Sequence, residues 1–458
     1  MSKKKTQPKK AVDFNVLEQI QPDAAGIDVG ASEMYACVPP GRDKEQIRCF
    51  ATFTVDLHRL ADWLKNCNVK TVAMESTGIY WIPLYDILEE RGIEVYLVNA
   101  RHLKNVSGRK TDVSDCQWLY QLHTYGLLRN SFHPAEDIRA LRALARHRDM
   151  LIRYRASHIQ HMQKSLDLMN VQLTRVLSDI TGETGMGIIR TILAGETEPQ
   201  TLLQYRHSQC KYGEEDFVKA LTGNYRREHL FALGQAVTLY DAYGQQIAAV
   251  DCEMETMYAQ MQPAETTDKP STTPPKPTQK KRRKNQAHFD LTASLYQMTG
   301  VDLTQIDGID ALTAQTVLTE IGIDVRPWRT EKHFTSWLGL CPQNEITGGK
   351  VKRRGTKKTD NRATTALRVA AQSLARSQSA LGAFYRRIKA RHGAPKAIVA
   401  TAHKLARIIY HMLKNGVDYV DPGADYYNQQ HQERAIKALQ KRAKSLGLRL
   451  EPIEPALV

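Results

Sequence analysis

The sequence predicts an N-terminal α/β domain with a mixed sheet, then a helical coiled-coil arm and a mainly α C-terminal domain. Three observations lead there. Between Ala24 and Val98, short β-prone runs alternate with stretches of helical spacing. After Pro134 the strands stop and apolar residues recur in steps of three and four. Between 263 and 286, five prolines occur without one large apolar residue, and globular texture returns at Leu291. Alternating strands and helices make α/β layers, and a sustained seven-residue period makes packed long helices.

Ala25-Gly26-Ile27-Asp28-Val29-Gly30 reads as a first strand with an acid near its end. Glu33–Val38 and Ile47–Phe53 read as strands separated by the turn residues Pro39-Pro40-Gly41. Val55, Leu57, Leu60, Ala61 and Leu64 have helical spacing. Thr71–Met74 is a strand, Ile79–Arg91 a helix stopped by Gly92, and Glu94–Val98 a strand. Beyond Pro134, Ile138, Leu141, Ala145, Ile152, Ile159 and Met162 start one heptad seam, interrupted by Arg148 and Arg155. Ala236, Tyr240, Tyr243, Ile247, Val250 and Met254 belong to a second. The two suggest an antiparallel helical hairpin, with the arginines marking an imperfect seam or a contact with a partner. The expected division is a basic tail over 1–20, the α/β domain over 21–135, the helical arm over 136–262 and a Pro/Lys-rich linker over 263–290. The C-terminal domain follows over 291–420, and a basic helical tail over 421–458.

The 458 residues include 64 Lys+Arg and 49 Asp+Glu, a net charge of +15, with 42% hydrophobic and 25% charged residues. Those fractions exclude a chain disordered throughout. No run approaches the roughly 20 apolar residues of a membrane span, so no membrane partner is expected. MSKKKTQPKK is basic but lacks the apolar stretch of a secretory signal. Seven scattered cysteines without a CxxC pair fit a reducing, cytoplasmic setting better than a zinc site. The positive excess favours a polyanionic partner, nucleic acid before membrane surface.

Acids stand where α/β ligand sites form. Asp28 and Glu75 are at strand ends. Asp112 and Asp115, three apart after Thr111 as N-cap, share one face of a helix. Converging carboxylates repel. Two Mg²⁺ ions about 4 Å apart offset that charge and supply the clamp used in phosphodiester displacement. Each acid alone also has a plain structural explanation as a turn former or a helix-start residue.

These residues resemble a known group. GIDVG, AMESTGIYW and KTDVSDCQWL are similar to the DEDD, RuvC-like transposases of bacterial insertion sequences, the bridge-RNA-guided recombinases. Gln305–Asp310 through Glu320-Ile321-Gly322 resembles that family's helix-hairpin-helix-like element. Trp337–Pro342 followed by Ile346–Lys350 resembles its C-terminal signature. The resemblance implies a ribonuclease-H-like (RuvC-like) fold for the first domain and Asp28, Glu75, Asp112 and Asp115 as catalytic, metal-binding acids, with two Mg²⁺ ions per site. It also implies a nucleophilic hydroxyl that forms a covalent link to DNA. The family's serine, immediately before glycine, is matched here by Thr347, with Ser336, Ser373 and Ser377 as fallback hydroxyls. Donor and target DNA, a structured guide RNA and a homo-oligomer, dimer or tetramer, are the implied partners. The implied location is the bacterial cytoplasm, acting at the nucleoid.

Lys350–Lys358 holds six cations in nine residues after a Gly-Gly turn. Lys350, Lys352, Arg353, Arg354, Lys357, Lys358 and Arg362 are the expected nucleic-acid contacts there, with Lys104, Arg109 and Lys110 between the acids. Gly308 is a possible point of backbone approach to a phosphate. Tyr80 and Trp81 read as core aromatics at a helix start, with base stacking as the alternative. Three other functions compete. A RuvC-like junction nuclease would use the same acids with water as nucleophile. A sugar- or acetate-kinase-like ATPase would need a second Asp-x-Gly phosphate segment and a Gly-rich adenosine motif, of which the sequence offers no convincing copy, and it would leave the basic run unexplained. A non-catalytic RNA scaffold would need none of the acids.

Overall fold

A computed structural model describes residues 18–76, 78–99, 112–261, 274–275, 284–353, 355–357 and 359–451. The side chains of Asp112, Val113, Ser114, Glu345 and Arg353 fall outside this description. The chain divides into two compact units, the first ending at His133 and the second beginning at Pro134.

The first unit is built on a five-stranded mixed sheet. Its strands are β1 (Ala24–Val29), β2 (Glu33–Cys37), β3 (Ile47–Ala51), β4 (Thr71–Glu75) and β5 (Glu94–Val98), in the order β3-β2-β1-β4-β5. β1–β2 and β2–β3 are antiparallel, whereas β1–β4 and β4–β5 are parallel. Strand alternation sorts the side chains between two faces. Ile27, Met34, Ala36, Val72, Met74, Val95 and Leu97 lie on one face, in a core with α1 (Thr54–Asn66) and α2 (Trp81–Glu90). Leu57, Leu60, Leu64, Leu84 and Leu88 are among the helical contributions. The other face receives α3 (Asp112–Thr124), whose Leu119 packs with Ala73 and Val98. This is the α/β layering expected of a ribonuclease-H-like domain.

The aromatics at the start of α2 divide. Tyr80 is 49% exposed and so is not the core residue its sequence position suggested. Gly78 begins a solvent-facing turn there, and only the next residue, Trp81, turns inward against Tyr85 and His133.

The second unit begins with a helical hairpin. After α4 (Glu136–Leu168) come the short helices α5 (Leu173–Val176), α6 (Glu183–Leu193), α7 (Pro199–Leu202) and α8 (Glu214–Leu221), then α9 (Arg227–Gln260). Arg148 meets Asp251, Arg155 stacks over Tyr240 and His158 stacks on Tyr243, so α4 and α9 run antiparallel. The first seam interruption is a buried ion pair within the chain. Arg148 donates to both Asp251 oxygens at 2.5 and 3.2 Å. The second, Arg155, also donates to the Asn285 side chain at 2.6 Å. At the far end of the hairpin, Met162, Leu166, Ile188, Phe217, Leu221 and Leu233 form a separate small core.

The C-terminal module contains α10 (Leu291–Thr299), α11 (Ala311–Ile321), α12 (Glu331–Trp337), the hairpin β6 (Glu345–Thr347) and β7 (Lys350–Arg353), α13 (Arg362–Ser373), α14 (Ala380–His392), α15 (Ala394–Asn415) and α16 (Gly423–Ser445). Side chains close several helix starts. Asp290, Asp310, Thr330, Asn361 and Ser379 each accept a backbone N–H from the first turn. The arm and this module share one compact unit. Arg142 of α4 donates to the Thr319 and Glu320 carbonyls at the end of α11, and Arg146 holds the Glu320 carboxylate with two bonds at 2.9 and 2.8 Å. Cations at a helix C-terminus also complement its dipole.

Candidate active site

The two strand acids are neighbours in the sheet. The parallel register pairs Ile27 with Met74, and one step further it sets Asp28 beside Glu75. Adjacent strands lie about 4.8 Å apart, so the two carboxylates leave neighbouring strand ends on the same face. Both are half-buried, as is Asp115. The surrounding backbone is fixed. Gly30 N–H donates to the Glu33 carbonyl at 3.0 Å just after Asp28, and Ser76 N–H donates to Val98 at 3.0 Å just after Glu75.

The helix carrying the other two acids is seated by a glycine. A Cβ on Gly26 would lie 2.3 Å from both the Cys116 carbonyl oxygen and the Tyr120 backbone nitrogen. No side chain separates β1 from α3 at that point. Gly26 and Asp28 share a strand face, so α3 covers the face from which Asp28 projects. Cys116 follows Asp115 directly, and the Asp28 charge acts on its thiol. Gly26 pairs with Cys37 across β1–β2. A hydrogen bond with Cys116, together with burial, pushes the Cys37 thiol far up, so it stays protonated. The pair packs under the acids as two small apolar side chains.

At the last turn of α3, buried His123 bonds Thr71 on β4 through Nε2 at 2.9 Å, while its Nδ1 is buried without a partner among the described residues. Burial pulls its pKa down to about 4. Gly26, Cys37, Cys116 and His123 escaped the sequence reading because their roles depend on contacts across the sheet. The glycine inside a β-prone run was the available signal.

Asp28, Glu75 and Asp115 are hard oxygen donors, the type that suits Mg²⁺. Asp112 is one turn from Asp115 on α3, but its side chain is outside the described residues. Among the described residues, no group of three or more His, Cys, Asp or Glu is gathered for a metal ion. The described site is therefore two adjacent strand acids and a third acid on the covering helix.

Thr347 ends β6 and pairs with Lys350 on β7. Gly348 and Gly349 have φ of 58° and 74°, the pair of positive values that a two-residue hairpin turn requires. Thr347 is exposed, as are Lys350, Lys352 and Lys357. Arg353 lies on β7 without a described side chain. Lys104, Arg109, Lys110, Thr111, Arg354 and Lys358 lie outside the described residues. Arg362 bonds to Asp149 of α4 at 3.1 Å. Ser373 and Ser377 donate to the Ala370 carbonyl and the Asp307 carboxylate, so both hydroxyls have structural partners. A Cβ on Gly308 would lie 2.9 Å from the Ala370 carbonyl oxygen. Its small size therefore serves packing against α13.

A transposase model of the DEDD, IS110 type matches residues 25–171. The model of the transposase IS116/IS110/IS902 family matches residues 302–386. A Pseudomonas aeruginosa protein described as a probable family 20 transposase is 28% identical over 142 residues, 30% of this chain and 40% of that protein. The chain thus covers less than half the length of that relative. The first match spans nearly all of the sheet, its acids and the whole of the first long helix, and the second spans the part of the C-terminal module that carries the Thr347 hairpin. With both matches in the expected order, this chain belongs to the IS110-type DEDD transposases.

Proposed function

We propose that the protein is a DNA transposase/recombinase that cuts and rejoins strands through a covalent link to Thr347, using Mg²⁺ held by Asp28, Glu75, Asp112 and Asp115. The observation that carries this reading is the register placing Asp28 beside Glu75 under a helix that bears the remaining acids. Two bound Mg²⁺ ions would neutralise the carboxylates and polarise the scissile phosphate. The strand ends fix two donors on rigid backbone, and α3 sets the spacing of the other two. The Thr347 hydroxyl attacks phosphorus. An Oγ1–P bond forms as the bond to one deoxyribose oxygen breaks, and the hydroxyl proton ends on that leaving oxygen. Lys350 and Lys352, beside Thr347 on an exposed hairpin, hold the flanking phosphates. A structured guide RNA pairing with donor and target DNA completes the reaction, in a homo-oligomer whose subunits share the two halves of the site.

The test is strand transfer with supercoiled donor and target, the element's own RNA and Mg²⁺. A covalent protein–DNA adduct is expected with the natural chain and with Thr347→Ser, but not with Thr347→Ala or Asp28→Ala. Full cleavage by Thr347→Ala would move the chemistry to water and make this protein a nuclease. The family matches do not favour that alternative.

A further inference from the structure

A cavity of about 400 Å³ opens between α14, α15 and α16, within the range of about 300–1,000 Å³ for small-ligand pockets. Most of its wall lies beyond residue 386, outside the stretches matched to the family. Arg387, Lys404 and Arg434 reach it from three different helices, and Tyr426 and Tyr427 line it from α16. No carboxylate of the described residues is among its lining. The nearby Asp421 is engaged, accepting from the Ala380 N–H at 3.0 Å and from the Tyr419 hydroxyl.

Three cations facing one space without a counter-charge repel one another. Burial, then Arg387, Arg407 and Arg434, push the Lys404 amine below the ordinary lysine range. Arg407 has Glu331 as partner, but Lys404 and Arg387 rest only against ring faces in the contacts described. Lys404 Nζ is 4.4 Å from the Phe384 centroid and 5.3 Å from that of Tyr427. Arg387 lies 5.7 and 5.5 Å from the same rings. The Nε of Arg387 is buried with no acceptor among the described residues. The helix closing the cavity buries none of its own side chains fully and meets α14 through the edge-on contact of Tyr427 with Phe384. An anion would relieve the repulsion, and the tyrosines add flat surfaces beside it.

We propose that this cavity binds an unpaired nucleotide of single-stranded nucleic acid, its phosphate held by Arg387, Lys404 and Arg434 and its base laid against Tyr426 or Tyr427. Cations beside aromatic faces are how single strands are held without base-edge readout. The site stands apart from the proposed catalysis, because its occupancy can be read without any strand being cut. Its chemistry suits DNA and RNA alike.

The test uses the full chain in EDTA with labelled single-stranded DNA and RNA oligonucleotides, read by fluorescence anisotropy across a salt series. Arg434→Gln and Tyr426→Ala are expected to weaken binding about fivefold or more. Arg434→Gln is also expected to lower the log–log salt slope by about 1. The strand type that shows these losses identifies the natural ligand. Lys444→Gln, which removes the same charge from the far end of α16, is the control. As a reading independent of any substitution, oligonucleotides carrying bromouracil are expected to photo-crosslink to Tyr426 or Tyr427 in the natural chain. Losses no larger than that of Lys444→Gln, with crosslinks only elsewhere, would overturn the proposal. So would binding of a polyglutamate peptide, but not an oligonucleotide, through Arg434.

Discussion

Replacing Gly26 by alanine tests whether the seat of α3 governs the acids. The added Cβ would lie 2.3 Å from two backbone atoms of that helix, where ordinary contact begins at 3.4 Å. Neither atom belongs to a flexible side chain, so α3 must move away from β1 by about 1 Å. Overpacking of this kind costs about 1–3 kcal/mol, or roughly 5- to 150-fold in a local opening equilibrium. Amide hydrogen exchange over residues 115–124 should accelerate by that factor. The same shift moves Asp115 away from Asp28 and Glu75. A misplacement of about 1 Å can lower a rate about 10²-fold, so strand transfer at saturating Mg²⁺ should fall on that order. Gly213→Ala, where nothing lies within 4 Å of the new atom, is the control and should change neither quantity. Natural exchange and activity in Gly26→Ala would refute the idea that direct backbone contact sets the position of the helix.

Three further outcomes are expected. His123 titrates at about 4 in the fold and 6.5 when unfolded, so the unfolded chain binds more protons between those values. Stability present in full above pH 6.5 is lost as pH falls, by up to about 3 kcal/mol below pH 4. Exchange in α3, corrected for intrinsic rate, should rise across that window in the natural chain and not in His123→Phe. Asp251→Asn leaves the Arg148 charge buried at 3% exposure without a counter-ion. It should cost about 3–5 kcal/mol in denaturant unfolding, whereas Arg148→Met with Asp251→Leu should recover most of that loss. A double substitution no better than the single one would contradict the pairing. Lys352→Gln should weaken DNA binding alike for all sequences and lower the salt slope by about 1, and an unchanged slope would place Lys352 off the phosphates.

Much of this protein was legible as sequence because local chemistry specified it. Short β-prone apolar runs marked β1, β4 and β5, and Gly348-Gly349 marked a turn, which the structure shows to join a hairpin with Thr347 at its edge. The spacing of Asp112 and Asp115 put them on one face of one helix. The order of the acids and the C-terminal motifs carried the family resemblance, which the matches over 25–171 and 302–386 then supported.

Tertiary structure decided what depended on partners remote in the chain. Arg148 looked like a defect in an apolar seam, because nothing nearby announces Asp251, 103 residues away. Whether Asp28 faces Glu75 depends on register, and a slip of one residue would send one of them to the opposite face. Gly26 had a role only once α3 lay against it, and Arg387, Lys404 and Arg434 met only when three helices packed. Periodicity records which way a side chain points along its own element. Which charge or backbone it meets there is set by long-range packing.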